Sequence, residues 1–286
     1  MMTTTLPTRQ PFSFDQTVTF IRRFPPCQGD YIIGDDALTA VVSIGGRAVP
    51  FTIRRGTTLK VETQRAGDAK AVTEHAAHWI GADDDLSELY AAARGDVPFR
   101  RLIDQLHGLH HVRFLTLAEI AVYCVMMQRA PIAMASRMKR RFLDRFGKPA
   151  EVAGRTLRAM PELAELVELD AEQIGAAIRH GAKGVRIAEV VRGVQAIGEQ
   201  TLREAPYAEA RDALLAIPGV GPFSAGAILL RGLGRMDEVP GVGMFEEDAR
   251  AIYGRAYDAA AITRRYGRQI GYWSFYVKTG AARLRD

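Results

Sequence analysis

The chain has 286 residues, of which 48% are hydrophobic and 25% charged, a balance typical of a globular protein with a substantial buried core. Lysine and arginine outnumber aspartate and glutamate by 38 to 33, and the net charge of +5 favours an acidic partner such as nucleic acid. The two cysteines, Cys27 and Cys124, form no Cys-x-x-Cys pair, which argues against a disulfide scaffold, a zinc site and an iron–sulfur cluster.

The first 82 residues predict an arm followed by a small α+β unit. Residues 1–11 are polar and contain two prolines, so they predict a short N-terminal arm and not a signal peptide. Short β-branched segments separated by glycine-containing turns predict the strands of an antiparallel sheet, at 31–33, 38–44, 49–53 and 58–63. Helical spacing of the apolar residues predicts one helix before these strands, at about 13–23, and another after them, at about 69–80. The sequence therefore predicts an α+β subdomain over 12–82.

From residue 83 onward the apolar residues recur at helical spacing, with glycine or proline in most gaps. The region 83–286 is therefore predicted to be nearly all α. Helices are expected near 85–92, 97–104, 116–128, 131–146, 154–158, 160–165, 171–179, 183–198, 206–216, 222–232, 245–253, 258–265 and 269–279. No apolar run approaches the roughly 18 residues of a membrane span, so a cytoplasmic location without membrane contact is expected.

The stretch 208–232 predicts a helix, a tight hairpin and a second helix. In the hairpin, Gly219 and Gly221 allow conformations and close approaches that a Cβ would obstruct, and Pro222 suits the first turn of a helix. The free amides of 219–224 then point outward together. The partial positive charge of a helix N-terminus can hold a phosphate without a charged side chain. The hairpin therefore predicts a contact to a nucleic-acid backbone that does not read base sequence.

The segment Leu-x-x-Ile-Pro-Gly-Val-Gly-Pro-Phe-Ser-Ala closely resembles the hairpin of the helix-hairpin-helix (HhH-GPD) DNA glycosylase superfamily. Nearly the whole chain resembles the inducible bacterial 3-methyladenine DNA glycosylases, which carry an extra N-terminal α+β subdomain. Segments 230–237 and 266–273 are similar to the family's post-hairpin and C-terminal helices, and 121–135 is similar to its helix-turn-helix that enters the minor groove. The resemblance implies an α+β N-terminal subdomain followed by a mainly α helix-hairpin-helix glycosylase core.

The resemblance implies a set of DNA-binding residues, namely Gly219, Val220, Gly221, Phe223, Ser224, Gln128 and Arg129. In the family an apolar wedge follows the glutamine and fills the hole left by the flipped base. Here that position is Arg129, whose planar guanidinium can stack in the gap or meet phosphates. A solvated helix end is the alternative for both residues. The basic run at Arg137, Lys139, Arg140, Arg141 and Arg145 suits phosphate contact and a solvated face equally.

The resemblance also implies a carboxylate that stabilises the cation-like sugar while the glycosidic bond breaks. The family keeps an aspartate about twenty-two residues after the second hairpin glycine, and that position here is Gly243. Either Glu246 or Glu247 is then a displaced catalytic acid, or the protein binds damage without cleaving. Both glutamates also suit a helix start merely as partners of the helix dipole. Some relatives carry a Schiff-base lysine at the position of Phe223, so monofunctional base removal is predicted.

Aromatic faces suit an electron-poor alkylated base, and Tyr123, Tyr272 and Trp273 are predicted to form the base pocket, with Phe223 as a further candidate. A core position is the commoner outcome for such residues. No metal is predicted at His107, His110 and His111, because Gly108 interrupts their helical spacing and no ligand motif is near.

The expected function is monofunctional excision of alkylated or otherwise modified bases from duplex DNA, by a monomer without a cofactor. If the protein is bacterial, its cytoplasmic location is expected to be the nucleoid. The alternative from another class is a catalytically silent damaged-DNA-binding protein. A weaker one is an enzyme that acts on an unusual lesion without that aspartate.

Overall fold

A computed structural model describes residues 1–239 and 245–285 of the chain, without the side chains of residues 284 and 285. Gly243, the position where the family keeps its aspartate, lies outside the described residues. The elements below are numbered in chain order.

A five-stranded antiparallel sheet forms the N-terminal part. Its strands follow the order β1-β5-β4-β3-β2 and comprise β1 (Met2–Leu6), β2 (Ile32–Ile33), β3 (Ala37–Ile44), β4 (Arg47–Arg54) and β5 (Leu59–Thr63). Helix α1 (Phe14–Arg22) precedes β2, and helix α2 (Ala69–Ile80) follows β5. The register pairs Ile53 with Val61 across β4 and β5, and both side chains are buried. The predicted α+β architecture of this part is confirmed.

Strand β1 stands where the sequence analysis predicts an arm. It pairs with β5 through Leu6 opposite Leu59 and Thr4 opposite Val61. Threonine is β-branched and suits the half-exposed surface of an edge strand. The prediction was wrong because Leu6 is the single buried residue of β1. One buried position does not make an alternating apolar pattern, so this segment carries no strand signal in the sequence.

The rest of the described chain is mainly helical, as predicted. Its helices are α3 (Ser87–Ala93), α4 (Val97–Gln105), α5 (Leu117–Met127), α6 (Ile132–Phe146), α7 (Leu163–Val167), α8 (Ala171–Ile178), α9 (Gly181–Ile197), α10 (Glu199–Glu204), α11 (Tyr207–Leu215), α12 (Pro222–Ala227), α13 (Glu246–Tyr253), α14 (Ala259–Tyr266) and α15 (Ile270–Arg285). Helix α12 runs directly into a π-helical turn over Ile228–Gly232. Helix α10 is absent from the prediction.

The helix predicted near 154–158 is instead strand β7 (Arg155–Ala159), which pairs with β6 (Lys148–Val152) in a separate hairpin. The turn consists of Ala153 and Gly154, with φ of +48° and +72°. Two successive residues with positive φ match the right-handed twist of a two-residue β-hairpin. The prediction was wrong because it relied on a short run of helix-compatible residues and disregarded the turn dipeptide, Ala153 and Gly154.

Two apolar cores hold the molecule together. The larger joins the sheet to the buried faces of α5 and α9, and α5 is buried around its whole circumference. The smaller core gathers aromatic residues of α4, α13, α14 and α15, including Trp273 and Tyr276. Phe20 on α1 packs against both. The N-terminal part therefore packs on the helical core as well as on its own helices.

Two histidines, the half-buried His78 and the buried His111, make stability depend on pH. Burial lowers the pKa of His78 and of His111 well below its usual range, and nearby Arg113 and Arg231 respectively add to this effect. The folded state therefore binds fewer protons than the unfolded state below about pH 6.5. Their contribution to stability is complete above that pH and is lost as the pH falls, by up to about 1.4 kcal/mol per pH unit for each histidine.

We therefore expect the melting temperature to fall between about pH 7 and pH 5, and His111→Gln to reduce that slope. Thermal unfolding followed by circular dichroism measures both. The matched control is His107→Gln, because His107 is exposed and stacks on Tyr90. An identical slope for the His111 variant and the unchanged protein would contradict the assignment.

Candidate functional site

The hairpin between α11 and α12 uses its two glycines differently. Gly219 has φ of +85°, in the left-handed region that favours glycine. Gly221 has φ of −98°, and a Cβ built on it would meet no atom within 4 Å. The amides at the start of α12 have no acceptor within their own helix, apart from Pro222, which has no N–H. The hairpin thus presents open backbone donors beside Phe223, whose exposure is 40%.

Gln128 joins the end of α5 to this hairpin. Its Nε2 donates to the carbonyl oxygen of Gly219 at 2.8 Å and to Oγ of Ser224 at 3.2 Å. Its Oε1 accepts from Nη1 of Arg186 at 3.3 Å. The two segments that the sequence analysis assigned to DNA binding therefore share one surface, fixed by hydrogen bonds.

Arg129 projects from the turn that follows Gln128. It is exposed and has φ of +50°, a conformation that non-glycine residues adopt uncommonly and that costs free energy. Beneath the turn, Nζ of Lys183 donates to the carbonyl oxygens of Val125, Met126 and Gln128 at 3.1, 2.6 and 2.7 Å. These bonds satisfy the last carbonyls of α5, so a buried cation holds the turn in its strained shape.

A cavity of about 510 Å³ opens beside this surface, since Met127, Ile132 and Phe223 line it. Its walls also include α1, the segment after α1, and α15. The aromatic lining residues are Phe20, Phe24, Phe114, Tyr123, Phe223, Phe245 and Phe275. A mainly apolar and aromatic cavity of this size can take a flat heterocycle.

The structure separates the predicted base-pocket residues. Tyr123 lines the cavity, whereas Tyr272 and Trp273 do not. The Tyr272 hydroxyl donates to Asp84, and Nε1 of Trp273 donates to the Tyr253 hydroxyl at 2.9 Å. Both residues lie in the smaller core, so a base inside the cavity would not touch them.

The acids at the start of α13 differ in their surroundings. Glu246 pairs with Arg250 at 2.7 Å and its side chain is 46% exposed, and Glu247 is exposed. Asp248 is buried, and its Oδ2 accepts from Nζ of Lys278 at 2.9 Å. Because Lys278 lines the cavity, this ion pair links Asp248 to the cavity wall. Asp248 was not predicted from the sequence, although its spacing to Ile252 marks the inward face of the helix.

A buried arginine forms part of the cavity wall. The Arg231 guanidinium lies 4.6 Å from the ring centre of Phe24, and its Nη1 donates to Nε2 of His111 at 3.0 Å. Burial lowers the pKa of Arg231 to about 10, so the group stays charged at neutral pH. Among the described residues no carboxylate lies within 4.0 Å of it. Arg231 was not predicted as a site residue from the sequence.

The basic run on α6 does not share one role. Arg137, Arg140 and Arg145 are exposed, whereas Lys139 is buried and its Nζ lies 2.5 Å from both Glu119 Oε1 and Asp30 Oδ2. Glu119, Asp30 and Cys27 have the mutual spacing of metal ligands, and Lys139 supplies the positive charge among them. Lys139 therefore cannot reach a phosphate outside.

The three neighbouring histidines occupy three different environments. His107 stacks on Tyr90, and His111 lines the cavity. The ring nitrogens of His110 lie 2.6 and 2.8 Å from the carbonyl oxygens of Gly81 and Pro11. In the described part of the chain, no helix has the length and apolar character needed to cross a membrane.

Comparison with known proteins finds similarity to proteins named as DNA glycosylases. No family model matches the chain. A DNA-3-methyladenine glycosylase from Bacillus subtilis (strain 168) is 22% identical over 212 residues, which cover 70% of each chain. The solved structure of a 3-methyladenine DNA-glycosylase from Archaeoglobus fulgidus superposes with a TM-score of 0.76 at 18% identity and covers 97% of each chain. A Clostridium acetobutylicum 8-oxoguanine glycosylase/lyase, solved in complex with double-stranded DNA, gives a TM-score of 0.67 at 15% identity over 87% of this chain and 86% of that one.

Proposed function

We propose that the chain is a member of the helix-hairpin-helix DNA glycosylase superfamily and acts as a base-excision repair glycosylase that hydrolyses the N-glycosidic bond of modified bases in duplex DNA. The observation that carries the proposal is the aromatic cavity that opens directly beside the hairpin and the Gln128–Arg129 turn. A nucleotide held by the hairpin can rotate out of the helix stack and place its base in this cavity.

The hairpin is proposed to hold the DNA backbone. Its free amides and the positive end of α12 suit a phosphate, and Gly219 lets the chain turn closely enough to present them. The exposed guanidinium groups of Arg137, Arg140 and Arg145 add charge on the helix after the turn. Such contacts are independent of base sequence and weaken as salt is added.

Arg129 is proposed to fill the gap that the flipped nucleotide leaves. Its strained backbone projects the side chain from the surface, and Lys183 and Gln128 hold the turn from within. A planar guanidinium can stack between the remaining bases and offset part of the lost stacking.

Asp248 is proposed as the acid in place of Glu246 and Glu247. Cleavage of the glycosidic bond builds positive charge on the sugar, which a carboxylate stabilises while water attacks C1′. Asp248 lies behind Lys278 at the cavity wall, whereas Glu246 is paired with Arg250 at the surface. Phe223 at the lysine position of bifunctional relatives supports monofunctional hydrolysis, with an abasic site as the product.

The test is base release from duplexes that carry a single alkylated, oxidised or deaminated base, scored by strand cleavage with alkali. We expect cleavage only after alkali treatment, since hydrolysis leaves the strand intact. Borohydride should trap no covalent complex, and a trapped complex that disappears in Lys278→Met would contradict the monofunctional mechanism. An undamaged duplex is the control.

A second candidate is a catalytically silent protein that binds damaged DNA. It is favoured by one observation, because no aspartate or glutamate lines the cavity among the described residues. Tight binding to duplexes with an abasic-site analogue, together with no base release from any lesion, would support this candidate and contradict the glycosylase proposal.

The hairpin proposal predicts the effect of one glycine replacement. Gly219→Val should raise the dissociation constant for duplex DNA by about tenfold or more, because valine strongly resists the positive φ of the turn. Fluorescence anisotropy with a labelled duplex measures it. Gly154→Val is the matched control, since Gly154 also has positive φ but lies in the β6–β7 turn, where an added Cβ would meet no atom within 4 Å. Equal affinities of the two variants would contradict the role of Gly219.

A further inference from the structure

Two exposed arginines adopt a backbone conformation that residues with a side chain usually avoid. In the described part of the chain, three residues other than glycine have positive φ, namely Arg129, Ala153 and Arg179, at +50°, +48° and +59°. Ala153 closes the β6–β7 turn, where such a conformation is ordinary. Arg179 ends α8, and like Arg129 it is exposed. This conformation costs free energy, and residues that keep it cluster at functional sites.

Lys183 connects the turns that carry these two arginines. Its Nζ donates to the carbonyl oxygen of Gln128, beside Arg129, at 2.7 Å. Its backbone N–H donates to Nδ1 of His180, beside Arg179, at 3.4 Å. The α8–α9 turn, formed by Arg179 and His180, therefore lies next to the Gln128–Arg129 turn.

Close packing of two helices fixes the α8–α9 turn. A Cβ built on Gly184 of α9 would lie 2.5 Å from the backbone nitrogen of Gly175 on α8, so the two helices meet there without room for a side chain. The backbone N–H of Arg179 donates to the carbonyl oxygens of Ala176 and Gly175 and closes the end of α8. The direction in which Arg179 leaves the surface is therefore set by the fold.

Helix α9 sets the order of the segments that face DNA in the proposed function. It begins at the α8–α9 turn and passes the Gln128–Arg129 turn within its first turn. Then Nη1 of Arg186 donates to Oε1 of Gln128, and a Cβ built on Gly219 of the hairpin would lie 3.4 Å from Cγ of Arg186. At 1.5 Å per residue, His180 and Arg186 are about 9 Å apart along the helix. The Gln128–Arg129 turn therefore lies between the hairpin and the α8–α9 turn.

We propose that Arg179 binds a phosphate of the complementary strand, the one that pairs with the damaged strand. This inference rests on the proposed function, in which the hairpin holds the damaged strand and Arg129 fills the gap. The two backbones of B-DNA flank a minor groove about 6 Å wide, so a segment beyond Arg129 from the hairpin meets the second backbone. Arg179 lies there, and its exposed guanidinium has no ion pair within the described part of the chain.

The chemistry of arginine explains why the strain is retained. A guanidinium can donate to two phosphate oxygens at once and stays charged at every physiological pH. Glycine would fit the backbone of Arg179 without strain, so the arginine destabilises the free protein and stabilises the complex. Contacts to both backbones also make binding depend on an intact duplex.

The first measurement is affinity for a duplex with an abasic-site analogue, followed by fluorescence anisotropy at several salt concentrations. Arg179→Gln should weaken binding about fivefold to tenfold at about 0.1 M salt, and the slope of log affinity against log salt should become shallower by about 0.9, the contribution of one phosphate contact. Arg179→Lys keeps the charge and should recover part of the loss. Arg65→Gln removes an exposed charge from the N-terminal part and should change affinity less than about twofold.

Arg179→Gly separates a role in binding from a role in structure. Because glycine adopts positive φ at no steric cost, this variant should melt at a higher temperature than the unchanged protein, yet bind the duplex as weakly as Arg179→Gln. A purely structural residue would not give changes of opposite sign. A glycine variant that binds the duplex as tightly as the unchanged protein would overturn the inference.

Uncharged methylphosphonates identify the strand that Arg179 contacts. Replacing the phosphates of the complementary strand near the lesion, one at a time, should weaken binding of the unchanged protein at one or two positions, where Arg179→Gln shows no further loss. The same replacements in the damaged strand should weaken both proteins by equal factors. If the two losses multiply at every complementary position, Arg179 does not contact that strand. The glycosylase proposal is judged separately, by base release from the unchanged protein, so the two failures are distinguishable.

Discussion

Asp248→Asn is expected to lower the rate of base release by about a hundredfold or more while leaving affinity for duplex DNA nearly unchanged. Asparagine keeps the size of the side chain and can still accept a hydrogen bond from Lys278, but it removes the negative charge that the cationic sugar needs. Single-turnover release measures the chemical step, and fluorescence anisotropy measures binding to the same duplex.

Glu246→Gln and Glu247→Gln are the matched controls, because they remove the same charge from the same helical turn. Glu246 is engaged with Arg250 and Glu247 is exposed, so both variants should retain most activity. If Asp248→Asn stays active while one of the glutamine variants is inactive, the displaced acid is that glutamate. If all three variants stay active, the acid lies elsewhere or the reaction needs none.

How far the sequence predicts this fold depends on the length of each pattern. The sheet and the long helices follow from patterns that run over many residues, such as the helix predicted at 69–80 and found as Ala69–Ile80. The hairpin is predicted because its glycines and proline carry conformational information locally. Strand β1 and the β6–β7 hairpin are short, and their identity depends on pairing with partners that a local pattern does not contain.

The candidate site was harder to predict because it depends on which side of a helix faces the cavity. Tyr272 and Phe275 both lie on α15 and are both buried, yet only Phe275 lines the cavity. Arg231 belongs to a π-helical turn, which shifts it off the regular helical period. Asp248 becomes a candidate acid through its contact with Lys278, which lies thirty residues away in the chain. These are tertiary contacts, and the spacing of residues along the sequence does not reveal them.

The second large effect concerns stability and lies outside the cavity. Lys139→Met should lower the free energy of unfolding by about 3–5 kcal/mol, because it leaves the buried Glu119 carboxylate without its cation. Burial alone would lower the pKa of Lys139, but the charges of Asp30 and Glu119 outweigh it and raise that pKa well above its usual value. The lysine therefore remains charged and is a true partner of both acids.

Urea unfolding of Lys139→Met and of Arg140→Met measures this effect, since Arg140 is the next residue of α6 and is exposed. The arginine variant should change stability by less than about 0.5 kcal/mol. Lys139 also donates to the carbonyl oxygen of Pro26 at 3.1 Å, and Pro26 lines the cavity. We therefore expect the folded Lys139 variant to release bases more slowly as well. Unchanged stability would mean that Glu119 takes up a proton at no cost, and the cluster would then not tie the cavity wall to α5.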